Sequence, residues 1–400
     1  MDSSYLSNKG GRMTTKSVPN SFTKGAFGSL TYMDFSRSKY MNHKPVNLLS
    51  VALNDSCNLE CPQCIEKFTR GKDHIELLYE MIEELEPGEV TWFSVAGKEP
   101  TITPDRLEKI AKLARPKVDK VILMTNGILF DDYMQKKLEN LIDYVDFSFD
   151  GIELKDGNKS LANEKYARAW TNIGLAVNNG FKKTSVITTV MPENYQKIGA
   201  LVDLVANEFQ GRVAHSIGFY LGWPKDKRLL SEEQVVRTIS QVATKDAKTV
   251  IFIAPAYSYL LPGIFKEFGI NPASKRYDPT TQIPAFDLNG HKLITVTHLE
   301  APTYLLRAEP DGNVYFGCTH LMVKGDASKY ALGNLKDKSL RQIFEDINSG
   351  SGELMDLASK ISDCCVYSDC FSSCRGGDRL GGYILNGKAQ DPFCRKINEL

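Results

Sequence analysis

Short apolar runs alternate with amphipathic stretches from Val46 onward, and this alternation constrains the fold more than any other feature of the chain. Val46 to Leu53 (VNLLSVAL) is a mostly apolar run of strand length, which is typical of a buried strand. Strands that alternate with helices form right-handed βαβ units around a parallel sheet. Six such runs are fewer than a closed (β/α)8 barrel contains, so we predict an α/β fold with a partial (β/α)6 TIM-type barrel. The five further runs are 90–96, 120–125, 144–149, 184–190 and 216–221.

Two of the stretches between these runs show apolar residues at helical spacing. Thr103 precedes Pro104, and this pair predicts an N-cap followed by the first residue of a helix. The residues that share a helical face are Ile75, Leu78, Ile82 and Leu85 in the first stretch, and Met134, Leu138, Leu141 and Ile142 in the second.

The pattern changes after Leu221. Residues 231–245 and 256–268 are predicted helices, and residues 270–300, rich in Pro, Asn and Asp, are a predicted connecting segment. Further on, Pro310-Asp311-Gly312 separates two short strand-like runs and predicts a hairpin. We therefore divide the chain into an N-terminal arm (1–45), the barrel (46–230), a connecting segment (231–300) and a small cysteine-rich domain (301–400).

Composition limits the partners of the chain. It holds no run of about 18 consecutive apolar residues, so we predict no membrane span. The polar N-terminus lacks the apolar core of a secretion signal, which favours a cytoplasmic location. Forty-nine basic residues balance 49 acidic ones, and this zero net charge gives no support to a nucleic-acid partner.

The nine cysteines are clustered, and in a reducing compartment clustered cysteines indicate metal binding more than disulfides. Cys57, Cys61 and Cys64 follow the first predicted strand directly, in the run Cys-Asn-Leu-Glu-Cys-Pro-Gln-Cys. Thiolates this close together hold iron–sulfur clusters. A structural zinc site would need a fourth ligand, and the nearest candidate, His74, lies ten residues further on. A non-enzymatic iron–sulfur or zinc protein, used for scaffolding or electron transfer, is the alternative at this point.

The Cys-x3-Cys-x2-Cys spacing after the first strand resembles the signature of the radical S-adenosylmethionine (radical SAM) enzymes. The resemblance implies that Cys57, Cys61 and Cys64 bind a 4Fe–4S cluster whose fourth iron takes S-adenosylmethionine. It also implies an electron donor of the flavodoxin or ferredoxin type. In that family one electron cleaves the sulfonium, and the resulting 5′-deoxyadenosyl radical abstracts a hydrogen atom from the substrate.

A second element agrees with this resemblance. Gly97-Lys98-Glu99-Pro100 closes the second predicted strand, where the family carries Gly-Gly-Glu-Pro, and implies that Gly97 and Glu99 receive the methionine amine. Glycine lets the backbone approach a ligand, and a carboxylate suits an ammonium group. Lys98 departs from the family's second glycine, and Gln63 departs from the usual aromatic residue before the third cysteine.

The next two strands end in polar residues that resemble family positions near the ribose and carboxylate of the cofactor. Asn-Gly and Asp-Gly pairs are also ordinary turn formers, so the turn interpretation stays open beside the functional one. These four residues are Thr125, Asn126, Ser148 and Asp150.

The C-terminal cysteines resemble the SPASM extension, which carries auxiliary clusters, in its shortened twitch form. Lys338 and Ile361 stand where the family has two further cysteines, so we predict one auxiliary 4Fe–4S cluster, with zinc as the alternative. At least one thiol stays free, and Cys365 or Cys318 is a candidate hydrogen-atom donor in an epimerisation. The candidate ligands are Cys318, Cys364, Cys370, Cys374 and Cys394.

Only 45 residues precede the predicted barrel, which is short for a leader-peptide reader. We therefore expect a small polar substrate of the sugar or aminocyclitol type, undergoing epimerisation or dehydrogenation. Modification of a ribosomal peptide or protein is the alternative. Candidate pocket residues are Asp150, Tyr220, Trp223, Lys225, Asp226, Tyr257, His298 and His320.

Overall fold

The structure is a computed structural model. It describes residues 46–64, 66, 74–152, 164–181, 183–220, 228–253, 257, 260–271, 276–277, 284–295, 305–317 and 327–349. All six predicted strands are present: β1 (Val46–Ala52), β2 (Val90–Ala96), β3 (Lys120–Thr125), β4 (Tyr144–Ser148), β5 (Lys183–Val190) and β6 (Val213–Phe219).

The six strands pair in parallel in chain order, each with the next. The helices between them are α1 (Ile75–Glu84), α2 (Pro104–Ala114), α3 (Asp132–Leu138), α4 (Glu164–Asn178) and α5 (Ile198–Glu208). This is the α/β partial-barrel architecture that the alternating pattern predicts.

The sheet continues past the sixth strand, where the sequence predicts helices and a connecting segment. After β6 come α6 (Glu232–Ala243), β7 (Thr249–Ile253), α7 (Leu261–Glu267), β8 (Arg276–Tyr277), β9 (Pro284–Leu288) and β10 (His291–Thr295). Strand β7 pairs in parallel with β6 and with β10. The seventh strand escapes the sequence prediction because TVIFI is a short apolar run that is equally compatible with a buried helix segment.

The described part of the connecting segment predicted at 270–300 includes a hairpin that the sequence analysis does not predict. Strands β9 and β10 are antiparallel and meet at Asn289 and Gly290, whose φ angles are 52° and 85°. An Asn-Gly pair with both residues at positive φ is the strongest short-range hairpin signal. The sequence therefore contained the signal for this turn.

The predicted C-terminal hairpin is confirmed, and it belongs to the same sheet. Strands β11 (Leu305–Ala308) and β12 (Asn313–Phe316) are antiparallel around Gly312, and β12 pairs with β13 (Gly333–Asn334). Strand β11 lies parallel to β1, on the side of β1 away from β2. Helix α8 (Leu340–Ser349) follows. The domain boundaries stay a prediction, but the sheet runs across residue 300.

The two faces of the parallel sheet differ. The face toward the helices carries the main apolar core, which includes Leu49, Phe93 and Val145. The opposite face, which is the inside of the barrel, carries a small apolar cluster of Leu48, Trp92, Ile122 and Tyr144 at its floor. Above this cluster the inner side chains of Met124, Ser148 and Thr189 are partly exposed, so the inside of the barrel is open to solvent toward the carboxyl ends of its strands.

Within the described part of the chain, no helix combines the length and the apolar character that crossing a membrane requires.

Candidate active site at the carboxyl edge of the barrel

The cysteine-bearing loop starts at the carboxyl end of β1 and is joined to the loop that follows β2. The Leu53 amide donates to the Ala96 carbonyl at 3.0 Å, and the Glu99 amide donates to the Ser56 carbonyl at 3.0 Å. The buried Asn54 side chain donates its Nδ2 to the Glu99 carbonyl at 3.0 Å. The two loops therefore form one unit at the edge where parallel barrels place their functional groups.

The three cysteines of this loop differ in exposure. Cys57 is exposed, Cys61 is buried and Cys64 is half-buried. The Cys64 amide donates to the Cys61 carbonyl at 3.1 Å, so the last two cysteines share a tight turn. Across the described residues, no three His, Cys, Asp or Glu side chains are gathered as a metal would need, and the three thiols are therefore close in sequence but not convergent.

Glu99 is fully enclosed at this edge, as is Asp150, and has no exposed surface. Its Oε1 accepts from the Thr101 amide at 3.1 Å and from the Thr101 hydroxyl at 2.6 Å. The Thr125 hydroxyl donates to the same oxygen at 2.7 Å, and the Asn126 amide donates to Oε2 at 2.7 Å. Burial raises the pKa of Glu99 above its ordinary value, although these hydrogen bonds act in the opposite direction.

Asn126 connects Glu99 to the cysteine loop. While its backbone amide binds Glu99, its Nδ2 donates to Oδ1 of Asn58 at 2.7 Å and lies 3.9 Å from Sγ of Cys57. The turn behind it needs a glycine, because a Cβ on Gly127 would lie 2.6 Å from the Phe147 ring. Thr125 and Asn126, predicted from a resemblance, therefore converge on the same carboxylate.

Asp150, at the end of β4, contacts the other side of the cysteine loop. The buried Gln63 donates its Nε2 to Oδ2 of Asp150 at 2.7 Å, and the Thr189 amide donates to Oδ1 at 2.9 Å. Gln63, the departure from the family's aromatic residue, thus ties the loop to the barrel by a hydrogen bond in place of ring packing. Ser148, the last residue of β4, is partly exposed on the inner face and lies two residues before Asp150.

Gly97 and Lys98 stand where the family motif has two glycines, and Lys98 is the residue that departs from it. Gly97 has φ 81°, and a Cβ there would lie 2.5 Å from Cα of Ala52, so only glycine allows the two loops to approach this closely. The Lys98 amide donates to Oε2 of Glu66 at 3.3 Å. This hydrogen bond holds the backbone at residue 98, although the residue there is lysine instead of glycine.

Sequence reasoning missed several residues that support the site. Asn172 of α4 donates its Nδ2 to the Gly127 carbonyl at 2.8 Å and so fixes the Asn126 turn. Tyr166 of α4 is fully buried, and its hydroxyl has no hydrogen-bond partner among the residues that the structure describes. Burial raises the pKa of Tyr166, and the charges of Asp150, Cys61 and Glu99 raise it further. Only the tertiary structure could bring these helix residues to the loop, because no motif marks them.

Two orphaned buried atoms bear on whether the site suits a cofactor. Within the described part of the chain, the Tyr166 hydroxyl and Oε1 of Gln63 are both buried without a partner, and Gln63 belongs to the loop that carries the three thiols. Buried polar atoms normally have partners, and three soft thiolates are the donor set of an iron–sulfur cluster. The residues present are chemically suited to such a group, which would also gather the three thiols.

The other predicted residues divide into two sets. Tyr220 and Tyr257 are buried in an apolar cluster between sheet and helices, and the Tyr257 hydroxyl donates to the Tyr220 carbonyl at 2.8 Å, so neither lines the inside of the barrel. The rest lie outside the described residues: Trp223, Lys225, Asp226, His298, Cys318, His320, Cys364, Cys365, Cys370, Cys374 and Cys394.

The fold and this site define an α/β-barrel protein whose functional groups gather at the carboxyl ends of the strands. Residues 51–205 match the model of the Radical SAM superfamily, so the chain contains a radical SAM domain. The predicted family, the predicted fold class and the predicted SAM-binding cluster are confirmed, because this family uses a 4Fe–4S cluster and S-adenosylmethionine.

Two curated relatives illustrate what the chain is similar to. It is 27% identical over 382 residues to Fe-coproporphyrin III synthase of Methanosarcina barkeri, covering 92% of this chain and 90% of that protein. It is 23% identical over 241 residues to a probable GTP 3',8-cyclase of Methanococcus aeolicus, covering 58% of this chain and 78% of that protein.

Solved structures show the same fold. Streptococcus suis SuiB bound to its precursor peptide SuiA has a TM-score of 0.63 at 15% identity, over 90% of this chain and 78% of that one. Native anSMEcpe with bound AdoMet has a TM-score of 0.58 at 18% identity, over 89% of this chain and 95% of that one.

Proposed function

We propose that Cys57, Cys61 and Cys64 hold the 4Fe–4S cluster and that the residues around Glu99 bind S-adenosylmethionine. When bound, the cluster and its ligand supply a 5′-deoxyadenosyl radical that removes a hydrogen atom from the substrate. The observation that carries the proposal is the contact between the two loops: Asn126 binds Glu99 through its amide and reaches Asn58 and Cys57 through its side chain.

The protein's own residues have distinct roles in this proposal. Glu99 accepts the ammonium group of the methionyl moiety, and the hydroxyls of Thr101 and Thr125 hold its carboxylate in place. Asp150 and Gln63 form the opposite wall, on the side of the ribose and adenine. Gly97 keeps the backbone close to the end of β1, so that the ligand has room above it.

The substrate that we propose is a small polar molecule of the sugar or aminocyclitol type, with epimerisation or dehydrogenation as the outcome. Polar groups on the open inner face support this choice. Asp146 of β4 is buried there, and Oδ1 accepts from the Ser185 hydroxyl at 2.9 Å. Ser148 and Thr189 lie above it and are partly exposed. Names of the curated relatives also point to small molecules.

A tetrapyrrole is a second candidate substrate, because the relative that covers 92% of this chain is a Fe-coproporphyrin III synthase. A peptide is a third, since SuiB holds a precursor peptide. At 15% identity that likeness shows the fold alone.

The C-terminal auxiliary cluster and the donor thiol at Cys365 or Cys318 belong to the proposal as well.

Anaerobic reconstitution tests the cofactor assignment. We expect about eight irons per chain, as two cubanes, and release of 5′-deoxyadenosine from S-adenosylmethionine that depends on dithionite. Changing Cys57, Cys61 and Cys64 together to alanine should remove about four irons and all cleavage. Changing Cys370 and Cys374 to alanine is the control, which should lower the iron content and leave the absorption of the first cluster intact. Zinc uptake without cleavage would instead support a non-enzymatic scaffold.

Substrate class is tested by which compounds accelerate 5′-deoxyadenosine release. Aminocyclitols and amino sugars, a coproporphyrin, and short synthetic peptides are compared, with deuterium transfer into 5′-deoxyadenosine as the proof of hydrogen abstraction. Acceleration by the coproporphyrin or by a peptide alone would overturn the sugar-type proposal. Cys365→Ala and Cys318→Ala should leave deoxyadenosine formation intact, and the variant that removes the donor should abolish release of an epimer.

A further inference from the structure

Arg307 is a buried cation that joins the C-terminal hairpin to the cysteine-bearing loop. It lies on β11, in register with Ser50 of β1, and its side chain is 4% exposed. Nη2 donates to Oε2 of Glu66 at 2.9 Å, and Nε donates to Oε1 of Glu309 at 2.6 Å. The pairing spans 241 residues of sequence, from the hairpin to a position two residues after Cys64.

Glu66 also contacts the loop that carries Glu99. The same Oε2 that accepts from Arg307 also accepts from the Lys98 amide at 3.3 Å. One carboxylate oxygen thus joins the end of the cysteine loop, the residue before Glu99 and a strand from the C-terminal region.

Burial makes this arrangement restrictive. A guanidinium removed from water must keep its charged partners, whereas an exposed ion pair is easily exchanged for water. The Glu66 side chain is 17% exposed, so its pairing with Arg307 is shielded from water more than a surface ion pair is. Because β11 is fixed to β1 by its ladder, the position of Arg307 is set by the sheet.

We propose that Arg307 is a positioning residue: acting through Glu66, it fixes the third-cysteine end of the cluster loop and the turn at 97–99. The C-terminal hairpin therefore completes the geometry of the site. The proposal rests on the proposed function only in its last step, the effect on S-adenosylmethionine binding.

Arg341 provides a control for position, with a side chain that is 51% exposed where that of Arg307 is 4% exposed. It too joins the C-terminal region to the early part of the chain, since Nη2 of Arg341 on α8 lies 2.9 Å from Oε1 of Glu89. Glu89 directly precedes β2, at the amino end of the barrel strands and away from the cysteines. If ion pairs merely dock the C-terminal region, Arg307→Gln and Arg341→Gln should loosen the same segments.

The experiment is hydrogen–deuterium exchange on the full-length protein without cluster, followed by S-adenosylmethionine binding to the reconstituted protein. In Arg307→Gln and Glu66→Gln we expect exchange in the peptides covering 54–66 and 97–101 to be about tenfold faster, and S-adenosylmethionine affinity to fall about tenfold. The double variant should be no worse than either single variant, because both break one connection. Arg307→Lys should recover part of the protection.

Two results would overturn the proposal. One is faster exchange confined to 305–317 in Arg307→Gln, and the other is an equal effect of Arg341→Gln on the cysteine loop. If Arg307→Gln does not fold, Glu66→Gln decides, since it leaves Arg307 paired with Glu309. The exchange measurement is made on the protein without its cluster. Its result can therefore be interpreted even if the proposed function is wrong.

Discussion

At the residue scale, the inner face of the barrel carries a carboxyl group in an environment that disfavours its charge. Asp146 is buried, and among the described residues only the Ser185 hydroxyl hydrogen-bonds to it. Burial raises the pKa of Asp146 to about 7. Since an unfolded aspartate titrates near 3.8, the folded chain holds this proton more tightly than the unfolded chain does.

Stability should therefore fall as the pH rises from about 4 to about 7 on account of this group, by roughly 1.4 kcal/mol per pH unit at most. His215, buried with a pKa lowered to about 3, acts in the opposite direction below about pH 6.5. Asp146→Asn isolates the carboxyl group. We expect the free energy of unfolding of wild type minus that of the variant to decline across this window, measured by urea unfolding at several pH values. A difference that is constant with pH would contradict the assignment.

At the scale of elements, the site depends on how closely two loops approach at the ends of β1 and β2. The turn after β2 can lie against Ala52 only because residue 97 has no side chain, and the same turn carries Glu99. Close approach and a positive φ act together at this position. A glycine elsewhere in the chain, Gly88, has φ 93°, and a Cβ added there would have no atom within 4 Å, so it separates the two effects.

Gly97→Ala should lower the free energy of unfolding by about 2–4 kcal/mol, because it adds a clash with the end of β1 to the strain of a positive φ. It should also weaken S-adenosylmethionine binding, since Glu99 moves with the turn. Gly88→Ala should lower stability by only about 1 kcal/mol and leave binding unchanged. Equal losses in the two variants, measured by urea unfolding and calorimetry, would show that the close approach contributes nothing.

At the scale of the whole molecule, the C-terminal hairpin and α8 cover the outer edge of β1. Strand β11 pairs with β1, and the core that packs on the helices includes Leu306, Leu340 and Ile343. Each such side chain contributes about 2 kcal/mol when buried, so this region carries a large part of the net stability of a domain.

A chain ending at residue 300 should therefore fail to give a soluble monomer, because β1 is left as an unpaired edge with an uncovered apolar face. A chain ending at residue 349 is the control. It keeps all the described contacts and should unfold cooperatively. Size-exclusion chromatography and thermal unfolding distinguish the two, and a stable monomer from the shorter chain would contradict the prediction.

The sequence by itself determined the six strands, the first three helices between them and the positions of the cysteine loop and of Glu99, because these depend on periodicity and on spacing within short segments. It missed β7 because a five-residue apolar run does not distinguish strand from helix. Only the tertiary structure decided that Asn126 and Thr125 converge on Glu99, that Gln63 meets Asp150 and that Arg307 reaches Glu66. Those contacts join segments far apart in sequence, and such contacts are fixed by strand register and by the pairing of buried charges, which no local pattern records.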